Sequence, residues 1–451
     1  MDYDVVIIGS GPAGLFAANE LMKTKSEKLK VLVVDKGKEP LKRAPKKEPK
    51  DLVFGVGGAG MFSDGKLNLS TEIGGDAREI GRDDDELLEI IEYIDKTLGK
   101  YCIIPPSLPA NETKINELKK QASIYGIEFV YGKQKHIGTD VLKGTMDKIY
   151  KDLKAKGIEF MLETSVEKIK KTKAGFELET DKGKIVTKYV LSAPGRSGAH
   201  WFKNQAQGLN LQTKPGYIDV GVRVEFPAEV YKDVEEIMYD AKFKYYTPTY
   251  DDLVRTFCTN PRGMVVKEQY EGFSLVNGHA ESKGKTQNTN FALLVRVELS
   301  EECAKISSMY GEYIARLANI TGNGKPILQR YKDLKRGRRS NWDRLGRSFV
   351  KPSCKDAYPG EISYILPHRI LINIIETIDN LDKIMPGLAS DTTLLYAPEI
   401  KFYETKYKIN KDFETNVEGL FVAGDASGFS RGIIFSALTG ILAARGIKNK
   451  K

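Results

Sequence analysis

The strongest constraint on the fold is a glycine-rich turn that joins a short apolar run to a helix near the N-terminus. Residues 5–8 are β-branched and apolar, which predicts a strand buried on both faces. A second apolar run at 31–34 ends at Asp35. Strand, turn, helix, strand and acid in this order predict a dinucleotide-binding unit. The residues expected to form the turn are Gly9, Gly11, Pro12, Ala13 and Gly14.

Each residue type in this unit has a physical role. Gly9 permits the tight turn, Gly11 lets a pyrophosphate approach the backbone, and Gly14 lets helix and strand pack closely. The start of the helix points free N–H groups and partial positive charge at the phosphates. Asp35, about 20 residues beyond the turn, is expected to accept hydrogen bonds from ribose hydroxyls and to repel a 2′-phosphate. Lys36 is expected to contact the same nucleotide.

A second glycine-containing segment near the C-terminus identifies the nucleotide. Residues 415–425 read TNVEGLFVAGD, in which a short apolar strand ends at Gly424 and Asp425. A loop follows, and then a helix is predicted from about 433 to 446 that is apolar on most faces and therefore buried. Paired with the N-terminal turn, this segment resembles the FAD-dependent oxidoreductases that have a glutathione-reductase-type FAD domain.

The resemblance implies an α/β fold with a Rossmann-like FAD domain, and FAD as the cofactor. The N-terminal turn would hold the ADP half, and Asp425 would contact the ribityl chain. The start of the last helix, at Gly432 and Ile433, would face the N1–C2=O edge of the flavin. Its dipole would stabilise the negative charge of reduced flavin there.

Two motifs in the middle of the chain agree with this resemblance. A hairpin is predicted from 175–180 and a return strand that begins at Lys184, with its turn at 181–183. The returning strand leads into a turn with Ala193 and Gly195, similar to the turn that lies beneath the adenosine in this family. Val166 stands where the family commonly contacts adenine through its backbone.

The most distinctive stretch is a third glycine-rich segment, at residues 57–67, which reads GGAGMFSDGKL. In the FAD-dependent family, the corresponding segment passes close to the pyrophosphate and the isoalloxazine. This form resembles most closely a poorly characterised group of bacterial and archaeal FAD-dependent dehydrogenases. The resemblance adds four expected cofactor-binding residues: Gly57, Gly58, Ser63 and Asp64.

The distribution of motifs predicts a discontinuous FAD domain. Its first part would be residues 1–212 and its second part 386–451, with a β-rich α+β substrate domain inserted at 213–385. A helical insertion is expected at about 70–135. Within it, apolar residues at helical spacing from 87 to 98, followed by Gly99, predict a helix.

Composition excludes several other classes. No run of 18 or more apolar residues exists, and the acidic N-terminus is unlike a secretory signal, so a cytoplasmic protein without a membrane span is expected. Four dispersed cysteines and four dispersed histidines support neither a disulfide framework nor a metal site. No second dinucleotide unit is found. The flavin would therefore be reduced by an organic substrate, by NAD(P)H in the same cleft, or by a separate electron carrier.

These observations favour an FAD-dependent dehydrogenase or reductase that exchanges a hydride between flavin N5 and an unidentified small molecule. The net charge of +9 favours an anion. Lys66, Arg431 and His279 are the candidate catalytic residues, and Lys66 or Arg431 would balance the charge of reduced flavin or bind a substrate carboxylate.

Two alternatives stay open. Basic clusters at 42–47 and 335–339 suggest a flavin-dependent RNA-modifying protein, although the charge excess alone does not argue nucleic-acid binding. The second alternative is a protein that binds FAD without catalysing a reaction.

Overall fold

The computed structural model describes residues 1–450 except positions 24–28, 46, 64, 76, 105, 107–110, 271, 281–284, 301–302, 304–306 and 403–404. The strands, in chain order, are β1 Tyr3–Ile8, β2 Val31–Val34, β3 Lys66–Leu69, β4 Ile127–Val130, β5 Lys133–His136, β6 Glu159–Met161, β7 Val166–Thr172, β8 Gly175–Thr180, β9 Gly183–Ser192, β10 Thr213–Pro215, β11 Ile218–Pro227, β12 Lys242–Tyr246, β13 Leu253–Asn260, β14 Met264–Tyr270, β15 Phe273–His279, β16 Asn288–Val297, β17 Ile327–Arg330, β18 Tyr358–Pro359, β19 Leu394–Phe402, β20 Thr405–Tyr407 and β21 Leu420–Val422.

The α-helices are α1 Pro12–Leu21, α2 Ala77–Ile80, α3 Asp84–Leu98, α4 Glu112–Ile124, α5 Thr139–Ala155, α6 Ala199–Gly208, α7 Ala228–Ile237, α8 Ser307–Thr321, α9 Tyr331–Lys335, α10 Trp342–Gly346, α11 His368–Leu381 and α12 Gly432–Asn449. Short 3-10 turns occur at Pro40–Lys42, Pro49–Leu52, Ala59–Phe62, Arg196–Gly198, Ile362–Tyr364 and Asp425–Ser427.

The chain divides into two compact units. The first contains residues 1–107, 132–214 and 405–451, and the second contains residues 108–131 and 215–404. The α/β class is confirmed, since a Rossmann-like unit made from separate pieces of chain is interrupted by a sheet-rich unit.

The first unit is built on a seven-stranded sheet in the order β6-β2-β1-β9-β8-β7, with β21 also paired to β9. β1 is parallel to β2 and β9, while β7, β8 and β9 form an antiparallel meander. Val5, Val6, Ile7 and the whole of β2 are buried, as expected for strands covered on both faces. Helices α1 and α12 pack on this sheet, and α12 is buried along most of its length.

The second unit is built on an eight-stranded sheet in the order β18-β17-β19-β11-β16-β13-β12-β4. Its central strands, β11 and β16, are antiparallel over ten residue pairs from Ile218–Val297 to Pro227–Asn288. The antiparallel hairpin of β14 and β15 forms a separate two-stranded sheet.

The compact units differ from the expected domain limits at two places. The segment from 386 to 404 was expected in the FAD domain, but it contains β19, which pairs with β11 and β17 in the second unit. The helical insertion at about 70–135 is not wholly helical and does not stay in the first unit. It ends in β4 and β5, and β4 is the edge strand beside β12 in the second unit's sheet.

Candidate cofactor site

The dinucleotide turn is held between the ends of the central parallel strands. The N–H of Gly9 donates to the carbonyl oxygen of Val34 at 2.8 Å, and the N–H of Ala193 donates to that of Ile8 at 2.8 Å. Gly9 has φ of +101°, and a Cβ there would stand 2.2 Å from the carbonyl oxygen of Ala193. Only glycine fits at this position.

Gly11 and Gly14 are glycines for different reasons. A Cβ on Gly14 would stand 2.0 Å from the carbonyl oxygen of Gly9, so the start of α1 packs directly on the turn. A Cβ on Gly11 would meet nothing nearer than the Cα of Gly58, 4.0 Å away. Gly11 therefore borders open space at the start of a helix that begins with Pro12. A pyrophosphate fits such a space, because it needs close approach to backbone N–H groups.

A cleft lies beside this turn. Four expected cofactor-binding residues, Gly9, Asp35, Lys36 and Val166, lie together on its wall. Nearby Gly195 has φ of +66° and no atom within 4 Å of an added Cβ. The wall also contains residues that were not among the expected cofactor-binding set: Ile8, Val34, Phe54, Thr164, Pro194, Gly198 and Trp201.

Asp35 ends β2 at the cleft, and its carboxylate is engaged by the protein itself. Oδ2 accepts hydrogen bonds from the N–H and the hydroxyl of Ser10, at 2.8 and 2.6 Å. Oδ1 accepts from the N–H groups of Gly37 and Gly55, both at 2.8 Å. The carboxylate thus joins the dinucleotide turn to the loop after β2.

The third glycine-rich segment lies against the dinucleotide turn. The N–H of Gly57 donates to the carbonyl oxygen of Ser10 at 2.8 Å, and a Cβ on Gly58 would stand 3.1 Å from the Cα of Gly11. Both Gly57 and Gly58 have positive φ. Ser63 closes the segment, since its hydroxyl donates to the carbonyl oxygen of Gly60 at 2.7 Å. Asp64 lies outside the described residues.

Arg43 binds the backbone that leads into this segment, although the sequence placed Arg43 in a surface cluster of basic residues. It is 1% exposed. Its Nε, Nη1 and Nη2 donate to the carbonyl oxygens of Asp51, Val56 and Leu52, at 2.9, 2.7 and 3.2 Å. Burial lowers its pKa to about 10, against the opposing charges of Asp35 and Asp51, so the guanidinium stays ionised at neutral pH.

The expected flavin half is built where β21 ends. Gly424 has φ of +72°, and its N–H donates to the hydroxyl of Thr439 at 2.9 Å. Oδ1 of Asp425 accepts from the hydroxyls of Ser436 and Ser430, at 2.9 and 3.2 Å. Its Oδ2 lies 3.3 Å from Nε of Arg196. These contacts fix the carboxylate beside the start of α12.

The start of α12 is open. Gly432 has φ of +82°, and a Cβ there would meet nothing within 4 Å. Ile433 is buried beside Gly60 of the third glycine-rich segment, where an added Cβ would stand 3.5 Å from Cγ1 of Ile433. N–H groups at a helix start can hold a partial negative charge such as that on the pyrimidine edge of a reduced flavin.

The three candidate catalytic residues lie in different surroundings. Arg431 precedes α12, and its Nη1 donates to the carbonyl oxygens of Ser430 and Asp425, at 2.9 and 3.2 Å, so it braces its own turn. Lys66 begins β3 opposite His136 and is half-buried. His279 is exposed at the end of β15 in the second unit.

The second unit carries a group of cations that the sequence did not predict, which we call the Phe257 cluster. Around the Phe257 ring stand Lys242, Arg255 and Lys401, with their charged groups 5.5, 5.2 and 5.7 Å from the ring centre. These cationic side chains are 16–21% exposed.

Three buried acids support the Phe257 cluster. The acids are Asp240, Asp219 and Glu399, which pair with Lys242, Arg255 and Lys401 at 2.6, 2.5 and 3.0 Å, respectively. Their side chains are at most 6% exposed. Burial acts to raise the pKa of Glu399, but the charges of Arg223 and Lys401 outweigh burial and lower it. In each pair the cation is therefore the more exposed partner and the acid the more buried one.

Among the described residues, no helix has the length and apolar character needed to cross a membrane, and no group of three metal-ligating side chains occurs.

Comparison with known proteins agrees with this geometry. Residues 217–401 match the family model "FAD-dependent protein, C-terminal domain-like", and residues 7–69 match "NAD(P)-binding Rossmann-like domain". The chain is 28% identical, over 476 aligned positions, to an uncharacterized protein of Clostridium beijerinckii, covering 99% of this chain and 80% of that one.

Two of the solved structures that align with this chain are enzymes. The glycine oxidase of Geobacillus kaustophilus is 13% identical with a TM-score of 0.41, covering 100% of this chain and 95% of that one. The L-proline dehydrogenase of P. horikoshii is 12% identical with a TM-score of 0.41, covering 100% and 94%. TM-scores this low say nothing about activity. The family matches and the cofactor cradle together confirm the resemblance of this chain to FAD-dependent oxidoreductases, with FAD as its cofactor.

Proposed function

We propose that this FAD-dependent oxidoreductase is a dehydrogenase or reductase that exchanges a hydride with an organic anion. The Phe257 cluster is the observation that supports an anion. Its three cations converge on one ring, and buried acids fix their positions. Bound FAD supplies the redox chemistry, since its N5 accepts or gives a hydride.

The residues of the first unit bind and orient the cofactor. The open space at Gly11 would take the pyrophosphate, and the cleft bordered by Val166 would take the adenosine. Asp425 would hold the ribityl chain, and the N–H groups at the start of α12 would offset negative charge on the pyrimidine edge of the flavin. Arg431 keeps that turn in place through its bonds to the backbone.

We propose Lys66 as the side chain that balances negative charge on the reduced cofactor or on the substrate. A lysine is suited to this because its charge is compact and its stem is flexible. In Lys66→Met, the flavin reduction potential should fall, or the affinity for substrate should fall. Unchanged potential, affinity and turnover would remove Lys66 from the mechanism. His279 stays a further candidate, to be tested by His279→Gln in the same assays.

The direct test is anaerobic reduction of the bound flavin by a panel of organic acids and of uncharged analogues, followed by bleaching of the flavin absorption. We expect at least one acid to bleach the flavin and its uncharged analogue to fail. Lys401→Met should raise the concentration of acid needed by about tenfold, as for loss of a charge-assisted contact. Lys244→Met is the matched control, because Lys244 lies on β12 near the cluster but pairs with Glu128 at 3.0 Å.

Reduction by uncharged compounds alone would remove the anion from the proposal, and failure of every compound would favour the non-catalytic alternative. The RNA alternative rested on the net charge and on the basic residues at 42–47 and 335–339. In the first cluster Arg43 is 1% exposed, and in the second Arg338 pairs with the buried Asp333 at 2.7 Å. Lys335 pairs with Asp379 at 2.9 Å on the surface, so these three residues have partners within the protein. Salt-sensitive retention of tRNA on filters by the purified protein would revive that alternative.

A further inference from the structure

The carboxylate of Asp35 occupies the place where a dinucleotide fingerprint has the acid that binds the adenosine ribose. A carboxylate offers about four acceptor positions, two on each oxygen. The N–H and hydroxyl of Ser10 take both positions on Oδ2. The N–H groups of Gly37 and Gly55 take both positions on Oδ1. A ribose hydroxyl finds no acceptor position left on this side chain.

The groups that Asp35 binds come from three neighbouring pieces of backbone. Ser10 belongs to the dinucleotide turn, Gly37 follows β2, and Gly55 leads into the third glycine-rich segment. The pieces touch without side chains between them, since a Cβ on Gly37 would stand 2.3 Å from the backbone nitrogen of Gly55. Just beyond, the N–H of Gly57 donates to the carbonyl oxygen of Ser10, and Gly58 lies close to the Cα of Gly11. The anion therefore ties together the backbone that borders the pyrophosphate space.

We propose that Asp35 is a positioning residue that holds the third glycine-rich segment against the dinucleotide turn, and that it does not read the ribose. Among the described residues of the cleft wall, Lys36 is also charged, and it can donate to ribose oxygens. A glutamate should not replace Asp35, because one more methylene moves the carboxylate out of reach of the four donors. If the carboxylate instead bound the ribose hydroxyls, either aspartate or glutamate could do so.

The test uses the holoprotein and two competitors, ADP and 2′,3′-dideoxy-ADP, which differ only in the ribose hydroxyls. Release of FAD is followed by the rise in flavin fluorescence. For each protein we compare the concentration of 2′,3′-dideoxy-ADP that releases half of the FAD with the concentration of ADP that does so. The ratio of the first to the second measures how much the ribose hydroxyls contribute to binding. We expect Asp35→Asn and Asp35→Glu both to release FAD at about tenfold lower ADP, with the ratio within about twofold of the wild-type value.

The proposal is overturned if the ratio in Asp35→Asn falls to about one, or if Asp35→Glu holds FAD as tightly as the wild type. Ser10→Ala covers the case in which the Asp35 variants do not fold. It removes one of the four bonds and leaves the carboxylate in place. We expect it to weaken FAD retention severalfold without changing the ratio. Unchanged retention in Ser10→Ala with an unchanged ratio would contradict the proposal, because it would show that loss of a bond to Asp35 does not loosen the segment that borders the cofactor.

Discussion

The carbonyl oxygen of Ala13 lies only 2.1 Å from the place where a Cβ on Gly440 would stand. Helices α1 and α12 therefore meet backbone to backbone at this point. Gly424 approaches Ala13 from another side, with an added Cβ 3.1 Å from that of Ala13. The turn expected to bind the ADP half and the segment expected to bind the flavin half are thus packed together within the first unit.

Gly440→Ala should lower the free energy of unfolding by about 2–3 kcal/mol, because the backbone of α1 would have to move to admit the new methyl group. Gly144→Ala is the matched control. Gly144 is also within a helix, α5, but an added Cβ there meets nothing within 4 Å. That change should be neutral or stabilising by up to about 1 kcal/mol. Urea unfolding of both variants measures the difference, and equal effects would contradict the packing described.

Gly11→Ala should separate cofactor binding from folding. Gly11 has φ of −70°, which alanine adopts freely, and its Cβ would meet no protein atom closer than 4.0 Å. We expect unfolding of the FAD-free protein to change by less than about 0.5 kcal/mol. The affinity for FAD should fall by at least about tenfold, because the methyl group enters the space for the pyrophosphate. Fluorescence of released flavin measures this affinity. Wild-type affinity in Gly11→Ala would place the pyrophosphate elsewhere.

Arg43→Met should destabilise the protein by about 3 kcal/mol and release FAD, because the carbonyl groups of Asp51, Val56 and Leu52 lose their donor, and the bonds to the first two are buried. The neighbouring Lys42→Met is the control. The Lys42 side chain is 72% exposed and pairs with Glu39 on the surface, so its loss should have little effect on stability. Chemical unfolding compares the two variants. A mild effect of Arg43→Met would mean that the glycine-rich segment holds its shape without this arginine.

The sequence predicted those helices and hairpins that are indicated by patterns within a short segment of chain. The helix expected over 87–98 is confirmed within α3, and the hairpin expected at 175–184 is confirmed as β8 and β9, since apolar spacing and turn glycines are properties of short segments. The edge position of β4 could not be predicted. Its partner, β12, lies more than a hundred residues away, and nothing in either segment specifies the other.

The same distinction applies to the candidate site. The glycines of the dinucleotide turn could be predicted, because each answers a local backbone requirement. Arg43, Phe54 and Trp201 could not. An arginine among lysines is typical of a solvated loop, and Arg43 is buried only because carbonyl groups from the following 13 residues converge on it. Trp201 reaches the cleft from α6, far along the chain from the turn it lies beside.

Glu225 should make stability fall as pH rises. It is buried, and it accepts hydrogen bonds from the hydroxyl of Tyr396 at 2.6 Å, Nδ2 of Asn288 at 3.0 Å and the N–H of Ser353 at 3.2 Å. Burial raises its pKa above the ordinary value, although these donors oppose the shift. The folded state therefore holds the proton more tightly than the unfolded state. This contribution to stability is lost as pH rises from about 4.3, the unfolded pKa, through the raised folded pKa.

Glu225→Gln removes this titration while it keeps the shape of the side chain. Urea unfolding of both proteins at several pH values between about 5 and 8 checks the sign. We expect the stability of the variant relative to the wild type to increase with pH over this interval. A relative stability that decreases with pH would show that Glu225 is ionised in the folded protein at low cost.

The central claim is that separate pieces of the first unit together hold FAD. The most direct measurement is the absorption spectrum of the full-length protein purified from a riboflavin-replete host, followed by identification of the flavin released on denaturation. The account predicts a yellow protein that releases FAD in about a one-to-one ratio, and a Gly11→Ala variant that is folded but depleted of flavin. A colourless protein that takes up no FAD when FAD is supplied would contradict it.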